Sequence, residues 1–177
     1  WRGSALASLV RGGVALAWQD YRAAESRAGD SVALMRKIRQ RDDLGYALAV
    51  LSAAEAGLGK PAEAREHARE AVRLAAEIGS YIATTGLPAC LPALARGSEA
   101  GQLPALCERL VSELPLVSRS PWYRQVMEAA APDLVARHVA SSGRPARDSI
   151  HDGEVRSIVA DLAAEMGCSP SGHGSAD

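Results

Sequence analysis

The fold is decided by residues 48–78, which read LAVLSAAEAGLGKPAEAREHAREAVRLAAEI. The second half of this stretch places apolar side chains on one helix face, at Ala64, Ala68, Ala71, Val72, Ala75 and Ile78. Charged residues fill most of the opposite face, as in an amphipathic helix. Gly59 and Pro61 separate this helix from an earlier apolar segment, because glycine ends helices and proline is tolerated at their first position. The stretch therefore predicts two antiparallel helices joined by a short turn.

Similar units lie on both sides of this stretch. Ala24, Ala64 and Ala105 stand at the corresponding place in three units, which gives a period of about 40 residues. Because such periods are typical of stacked helix hairpins, we predict an all-α fold of about four antiparallel hairpins. The predicted helices are 4–18, 21–41, 43–58, 61–78, 82–97, 102–116, 121–140 and 151–167. Pro88 and Pro92 fall inside the fifth helix, so we expect this helix to be kinked or to begin later than residue 82.

The second unit resembles a tetratricopeptide repeat at the positions where small or apolar residues let two helices approach. These positions are Leu48, Leu51, Ser52, Leu58, Gly59, Ala64, Ala68 and Ala71. The resemblance extends over residues 8–78 and weakens towards residue 116, where Arg109 stands in place of the usual small or aromatic residue. It implies a right-handed α-solenoid, and it implies that the chain binds other proteins.

The chain divides into four parts by composition. Residues 1–140 are predicted to form the repeat domain, and residues 141–150 read as a linker rich in Ser, Gly, Pro and Arg. Residues 151–167 are predicted to form a capping helix, and residues 168–177 a disordered tail. Because the sequence begins at Trp1, without Met and inside a helical pattern, we expect it to be part of a longer polypeptide.

The long period indicates a particular relative of the tetratricopeptide family. It is similar to a longer-helix variant in C-terminal regions of large bacterial regulators, including MalT-like and antibiotic-regulator-like transcription factors and some multidomain cyclases. In those proteins the repeats sense an inducer or partner protein and restrain the upstream domains. The resemblance therefore implies a non-catalytic, regulatory interaction module in a larger signal-responsive protein.

The family register predicts a binding groove on the first helices of the hairpins. Its predicted lining is Leu9, Leu16, Tyr46, Ala49, Ala53, Leu87, Cys90 and Leu94. The family's Lys and Asn clamp for terminal carboxylates is missing, because the chain has no Asn and only Lys37 and Lys60. An apolar groove favours an amphipathic helix or a neighbouring domain of the same polypeptide, with Tyr46 as an anchor. The alternative is that these residues pack against the next repeat.

The residue types of catalytic and metal sites are present but scattered. The histidines are His67, His138, His151 and His173, and the cysteines are Cys90, Cys107 and Cys168. None has the spacing of a metal site or a nucleophilic site, so we expect no cofactor and no enzyme activity. Three cysteines without paired spacing favour reduced thiols and a cytoplasmic location. No apolar stretch is long enough to predict a membrane span.

Charge and motifs bear on nucleic-acid binding. The net charge is -1, so the whole chain has no field that attracts DNA. Arg36, Lys37, Arg39 and Arg41 form one basic run, which we interpret as a solvated helix end. Residues 159–170 resemble the first helix and turn of a helix-turn-helix, which keeps a DNA-binding regulator fragment as the alternative function. Residues 171–177 cannot supply the recognition helix, so DNA binding by this segment is not expected.

Overall fold

The computed structural model of the protein describes residues 1–95, 105–106, 109–110 and 153–168. Its helices are α1 (Arg2–Ala17), α2 (Tyr21–Lys37), α3 (Arg41–Gly57), α4 (Pro61–Ile78), α5 (Tyr81–Gly86), a 3-10 turn (Leu87–Ala89), α6 (Leu91–Ala95) and α7 (Gly153–Glu165). Residues 105–106 and 109–110 are also helical. The predicted helix 121–140, the linker 141–150 and the tail beyond Cys168 lie outside the described residues.

The prediction of an all-α fold is confirmed, since helix accounts for 86% of the described residues. Each of α1, α2 and α3 packs antiparallel against the next helix along the chain. We call α1 with α2 hairpin 1, and α3 with α4 hairpin 2. The short helices α5 and α6 lie against α3 and α4, and α7 packs against α4.

The turns of the two hairpins have the same geometry. Gln19 and Gly59 both have positive φ, at 60° and 73°. The backbone N–H of the next residue, Asp20, donates to the carbonyl oxygen of Ala15 at 2.9 Å. In the same way, the backbone N–H of Lys60 donates to the carbonyl oxygen of Glu55 at 2.9 Å. This is the Schellman pattern, in which a left-handed residue closes a helix. The turn therefore recurs at the interval that the sequence predicts, and we call the interval from Gln19 to Gly59 one repeat.

Two helices differ from their predicted bounds by more than two residues. The predicted helix 21–41 ends at Lys37, because Arg39 adopts a left-handed φ of 57°. No glycine marks this stop, and a left-handed Arg is uncommon because of the strain on its Cβ. The predicted helix 82–97 is broken into α5, the 3-10 turn and α6. The helix is thus interrupted where Pro88 and Pro92 lie, and neither proline has an N–H to donate.

Small side chains allow the helices to approach closely in the core. Ala64 and Ala68 of α4 are fully buried. The Ser52 hydroxyl of α3 donates to the carbonyl of Ala64 at 2.7 Å, which joins the two helices of hairpin 2 directly. Gly57 lies under the ring of Tyr21, where a Cβ would overlap the ring atoms. The α2–α3 contact therefore depends on glycine at this position.

The length and apolar character of the described helices bear on whether any of them could span a membrane. In this part of the chain, no helix is both long enough and apolar enough to cross a bilayer.

Candidate functional site

The structure places the predicted groove residues in the core. Tyr46 is half-buried, whereas the other seven are buried: Leu9, Leu16, Ala49, Ala53, Leu87, Cys90 and Leu94. These side chains therefore pack inside the chain, as the packing alternative expects. Their role in holding a partner stays a prediction.

Tyr46, the predicted anchor, joins α3 to the segment that follows hairpin 2. A Cβ added at Gly86 would lie only 2.9 Å from the Cα of Tyr46, so the two backbones are in close contact. Burial raises the pKa of the Tyr46 hydroxyl to about 12, because the phenolate would lose its hydration. Tyr46 therefore holds α5 against α3, a packing role that the family register does not reveal.

Exposed apolar side chains lie instead on the outer face of α1, which we define by Ala7, Val10, Val14 and Trp18. Val10 is 55% exposed and Trp18 is 80% exposed, and Val14 between them is half-buried. The opposite side of α1 carries its buried residues, which include Leu9 and Leu16. The helix thus has two apolar sides, of which one is packed and the other meets solvent.

The corresponding face of α3 is covered. One repeat along the chain, Ala7, Val10 and Val14 correspond to Ala47, Val50 and Ala54, which are at most 1% exposed. Contacts at both ends of this face connect it to hairpin 1. Asp43 accepts a hydrogen bond from Arg2 of α1 at 3.4 Å, and Gly57 lies under Tyr21 of α2. In the repeat, this face is therefore where the preceding hairpin packs.

Two ion pairs join the outer surface of α2 to hairpin 2. Lys60 Nζ lies 2.6 Å from a carboxylate oxygen of Glu25, near the start of α2. Arg36 lies 2.5 Å from Glu70, near the end of α2. Such exposed pairs contribute little to stability, but they mark which residues of the two helices lie side by side. The α2–hairpin 2 contact thus combines an apolar face with a charged residue pair at each end.

The basic run contacts the protein's own groups. Arg36 pairs with Glu70, Arg41 pairs with Glu77, and Lys37 lies 4.6 Å from the ring centroid of Trp1. These contacts occupy three of the four cations that could have approached a phosphate backbone. The run is therefore an intramolecular feature of the α2–α3 turn in this structure.

Helix α7 contains the start of the helix-turn-helix candidate. Val159, Leu162 and Ala163 are buried, and α7 packs against α4. Gly167 has a φ of 68°, so a tight turn follows the helix. The recognition helix of such a motif would begin after this turn, outside the described residues.

One buried polar pair lies between the helices of hairpin 2. Nδ1 of His67 is 2.8 Å from Oε2 of Glu55, and the Glu55 side chain is nearly buried. The hydrogen bond to Glu55 raises the pKa of His67 above its ordinary 6.5, although partial burial acts in the opposite direction. Among the described residues, no three His, Cys, Asp or Glu side chains come close enough to form a metal site.

Comparisons with known proteins return no similarity that can assign a family. No protein-family profile matches the sequence, and neither curated proteins nor solved structures give a significant match. The likeness to tetratricopeptide repeats therefore depends on the residues quoted above. The structure adds stacked antiparallel helices to that likeness.

Sequence reasoning missed the outer face of α1, although a signal for it was present. Ala7, Val10 and Val14 follow the i, i+3, i+7 spacing of one helix side, and they do not belong to the stripe of Leu9 and Leu16. Two apolar stripes on one helix predict two packing partners. Only one of these partners is found among the described residues.

Proposed function

We propose that this chain is a non-catalytic protein-interaction module that holds a partner helix on the outer face of α1. We further propose that its hairpins form a right-handed α-solenoid of the tetratricopeptide type. The observation that carries the function is the 55% exposure of Val10, whose counterpart Val50 on α3 is buried, together with the 80% exposure of Trp18, whose counterpart Leu58 is half-buried. A partner helix on this face would pack against hairpin 1 as α2 packs against hairpin 2.

Physical magnitudes support this surface as a binding site. Full burial of an exposed large apolar side chain contributes about 1.5 to 3 kcal/mol. Trp is enriched among the residues that dominate binding energies, because it removes a large area from water with little loss of side-chain freedom. Val10 and Val14 lie on α1 and Trp18 directly follows its last residue, so a partner helix can contact all three along the same side.

The resemblance to large bacterial regulators supports a regulatory role for this binding. In such proteins, the repeat region senses an inducer or a partner protein and restrains other domains. We propose that docking on α1 is the corresponding event here, with the partner helix as the ligand that is sensed.

Site-specific photo-crosslinking tests the proposed function. A photoreactive amino acid in place of Val10 should crosslink to a partner protein in cells that express the full-length protein. The same probe in place of Glu66, which is exposed on α4, should not give this product. In a chain with the probe at residue 14, the substitution Val10→Asp should abolish the product while the melting temperature stays close to that of the parent. Equal crosslinking from residues 10 and 66 would reject the outer face of α1 as the site.

A further inference from the structure

We infer that the occupant of the outer face of α1 is a partner protein's helix that lies as α2 lies on α3. This helix carries a small residue in its first turn, a basic residue four positions later, and a second basic residue eleven positions after that. The inference rests on the proposed function and specifies the chemistry of the partner. It follows from three features of the repeat: its geometry, its charges and the size of one side chain.

The geometry gives the position of the partner helix. Hairpins 1 and 2 have helices of similar length, and their left-handed turn residues, Gln19 and Gly59, lie one repeat apart. Arg39 and Gly79, which follow the two hairpins, are also left-handed and are separated by the same interval. Because the backbone repeats in this way, a partner helix can pack on hairpin 1 in the position that α2 takes on hairpin 2.

The charges give the polarity of its ends. Hairpin 2 contacts α2 through Lys60 and Glu70, which pair with Glu25 and Arg36. The equivalent residues of hairpin 1, one repeat earlier, are Asp20 and Asp30.

Both Asp20 and Asp30 are exposed. Asp20 accepts one hydrogen bond from the N–H of Ala23, and Asp30 forms no ion pair among the described residues. A helix in the α2 position therefore meets a carboxylate at each end, and basic residues at the positions of Glu25 and Arg36 would complement both.

The size of one side chain gives the remaining requirement. In the observed contact, the ring of Tyr21 covers Gly57, where there is no room for a Cβ. The residue of α1 equivalent to Gly57 is Ala17. Its methyl group occupies the space that a ring would need, so the partner must carry a small residue at the position of Tyr21.

A second copy of this chain does not supply such a helix. The apolar side of α2 is packed against α1 and α3, and α4 is packed against α3, α5, α6 and α7. Among the described residues, the helix of a folded second copy with a free apolar side is α1, and its basic residues, Arg2 and Arg11, are nine positions apart instead of eleven. The spacing of these basic residues therefore argues against a second copy as the occupant.

A designed peptide tests the inference on the folded chain. The peptide contains residues 20–40 with Tyr21→Ala and Glu25→Lys, and it keeps Arg36. A hydrocarbon staple replaces Arg22 and Ser26, which are exposed on α2, so that helicity is secured independently of binding and is checked by circular dichroism. Binding of the fluorescently labelled peptide is measured by anisotropy at low ionic strength.

Several changes in affinity are expected. Val10→Asp in the chain should weaken binding more than about tenfold, because a charge would be buried in the contact. Arg36→Glu in the peptide should weaken binding about three- to fivefold, the effect of an exposed ion pair. Asp30→Arg in the chain should restore the affinity of this Arg36→Glu peptide, since the charges would be exchanged. A peptide that keeps Tyr21 but carries the other changes should bind more weakly than the designed one.

Several results would overturn the inference. Failure of the charge exchange would show that the register is wrong. If the peptide does not bind while the probe at residue 10 still crosslinks to a partner, the partner chemistry is wrong and the proposed function stands. If neither peptide binding nor crosslinking from residue 10 is observed, the proposed function is rejected too. Self-association of the chain that disappears in the Val10→Asp variant would identify a second copy as the occupant, contrary to the inference.

Discussion

Helices α1 and α3 occupy equivalent places in two successive hairpins, yet their surroundings differ. Twelve of the seventeen residues of α3 are buried, against five of the sixteen residues of α1. Helix α3 contacts α1, α2, α4 and α5, whereas α1 packs against α2 and α3. The difference comes from the neighbours rather than from the helices themselves, since both carry apolar residues on the same outer stripe.

The comparison teaches that an apolar stripe specifies a packing face and not its occupant. Val10 and Val50 are the same residue type at equivalent positions, but Val10 is 55% exposed and Val50 is 1% exposed. Burial of a valine is favourable by about 1.5 to 3 kcal/mol, so leaving Val10 in water forgoes that stabilisation. The four predictions that follow use equivalent residues of the two hairpins as matched pairs.

The largest expected difference is between Val50→Asp and Val10→Asp. Val50→Asp buries an unpaired charge and should lower the free energy of unfolding by about 3 to 5 kcal/mol. Val10→Asp places the same charge in solvent and should change it by no more than about 0.5 kcal/mol. Urea titrations followed by circular dichroism measure both values. Equal destabilisation would mean that the chain itself covers the outer face of α1.

The second pair is Tyr46→Glu and Leu6→Glu, on the side of these helices that was predicted to form a groove. Tyr46 packs against Gly86, so Tyr46→Glu should destabilise the fold by about 2 to 4 kcal/mol through lost packing and a buried carboxylate. Leu6 is half-buried in hairpin 1, and Leu6→Glu should have a smaller effect. Thermal melts compare the two variants. A Tyr46→Glu chain as stable as the parent would restore the predicted groove.

The third pair probes the packing within each hairpin, which should be alike. Ala28 and Ala68 are both fully buried, at positions one repeat apart. Replacing either by Leu should overpack its hairpin and lower the free energy of unfolding by about 1 to 3 kcal/mol. Glu66→Ala is the control, because Glu66 is exposed and its loss should be nearly silent. If Ala68→Leu and Glu66→Ala give the same melting temperature, the assigned helix register is wrong.

The smallest expected effect is a pH dependence of the unfolding free energy that comes from the His67–Glu55 pair of hairpin 2. Because the pKa of His67 is raised in the folded state, chiefly by its hydrogen bond to Glu55, the charged form stabilises the fold. This contribution is fully present below the ordinary pKa of 6.5 and is lost as pH rises through the raised value. We expect a loss of about 1 kcal/mol or less, since the site is partly open to solvent. Unfolding free energies measured across this interval test the expectation.

Matched variants isolate this pair from the other titrating groups. Glu55→Gln and His67→Gln should each remove the same part of the pH dependence, and the double variant should remove no more. Hairpin 1 has Ala15 and Arg27 at the two equivalent positions, so it lacks such a pair. An unchanged pH profile in both single variants would contradict the assignment to the pair.

The sequence allowed a large part of the fold to be predicted. The bounds of α4 agree with the prediction, because Gly59, Pro61 and Gly79 mark its ends with strong local signals. The end of α2 was missed because Arg39, whose backbone is left-handed, carries no such local signal. Arg39 lies one repeat before Gly79, so aligning the two repeats would have indicated this turn.

The candidate site was less accessible to prediction. The family register predicted an apolar groove side on α3, but it could not tell that α5 and its neighbours pack on this side. Tyr46 illustrates the difficulty, because its place on the helix follows from spacing while its burial depends on Gly86, which is distant in the sequence. The outer face of α1 has the same kind of apolar pattern and remains exposed.

The sequence by itself determined the helices, most of their ends and the period of the repeat, because helical periodicity and turn residues act over a few neighbours along the chain. Only the tertiary structure decided which apolar faces are covered. Burial depends on contacts between residues far apart in sequence, and an exposed valine has the same local pattern as a buried one. Val10 and Val50 make that distinction visible, and with it the surface on which a partner is proposed to dock.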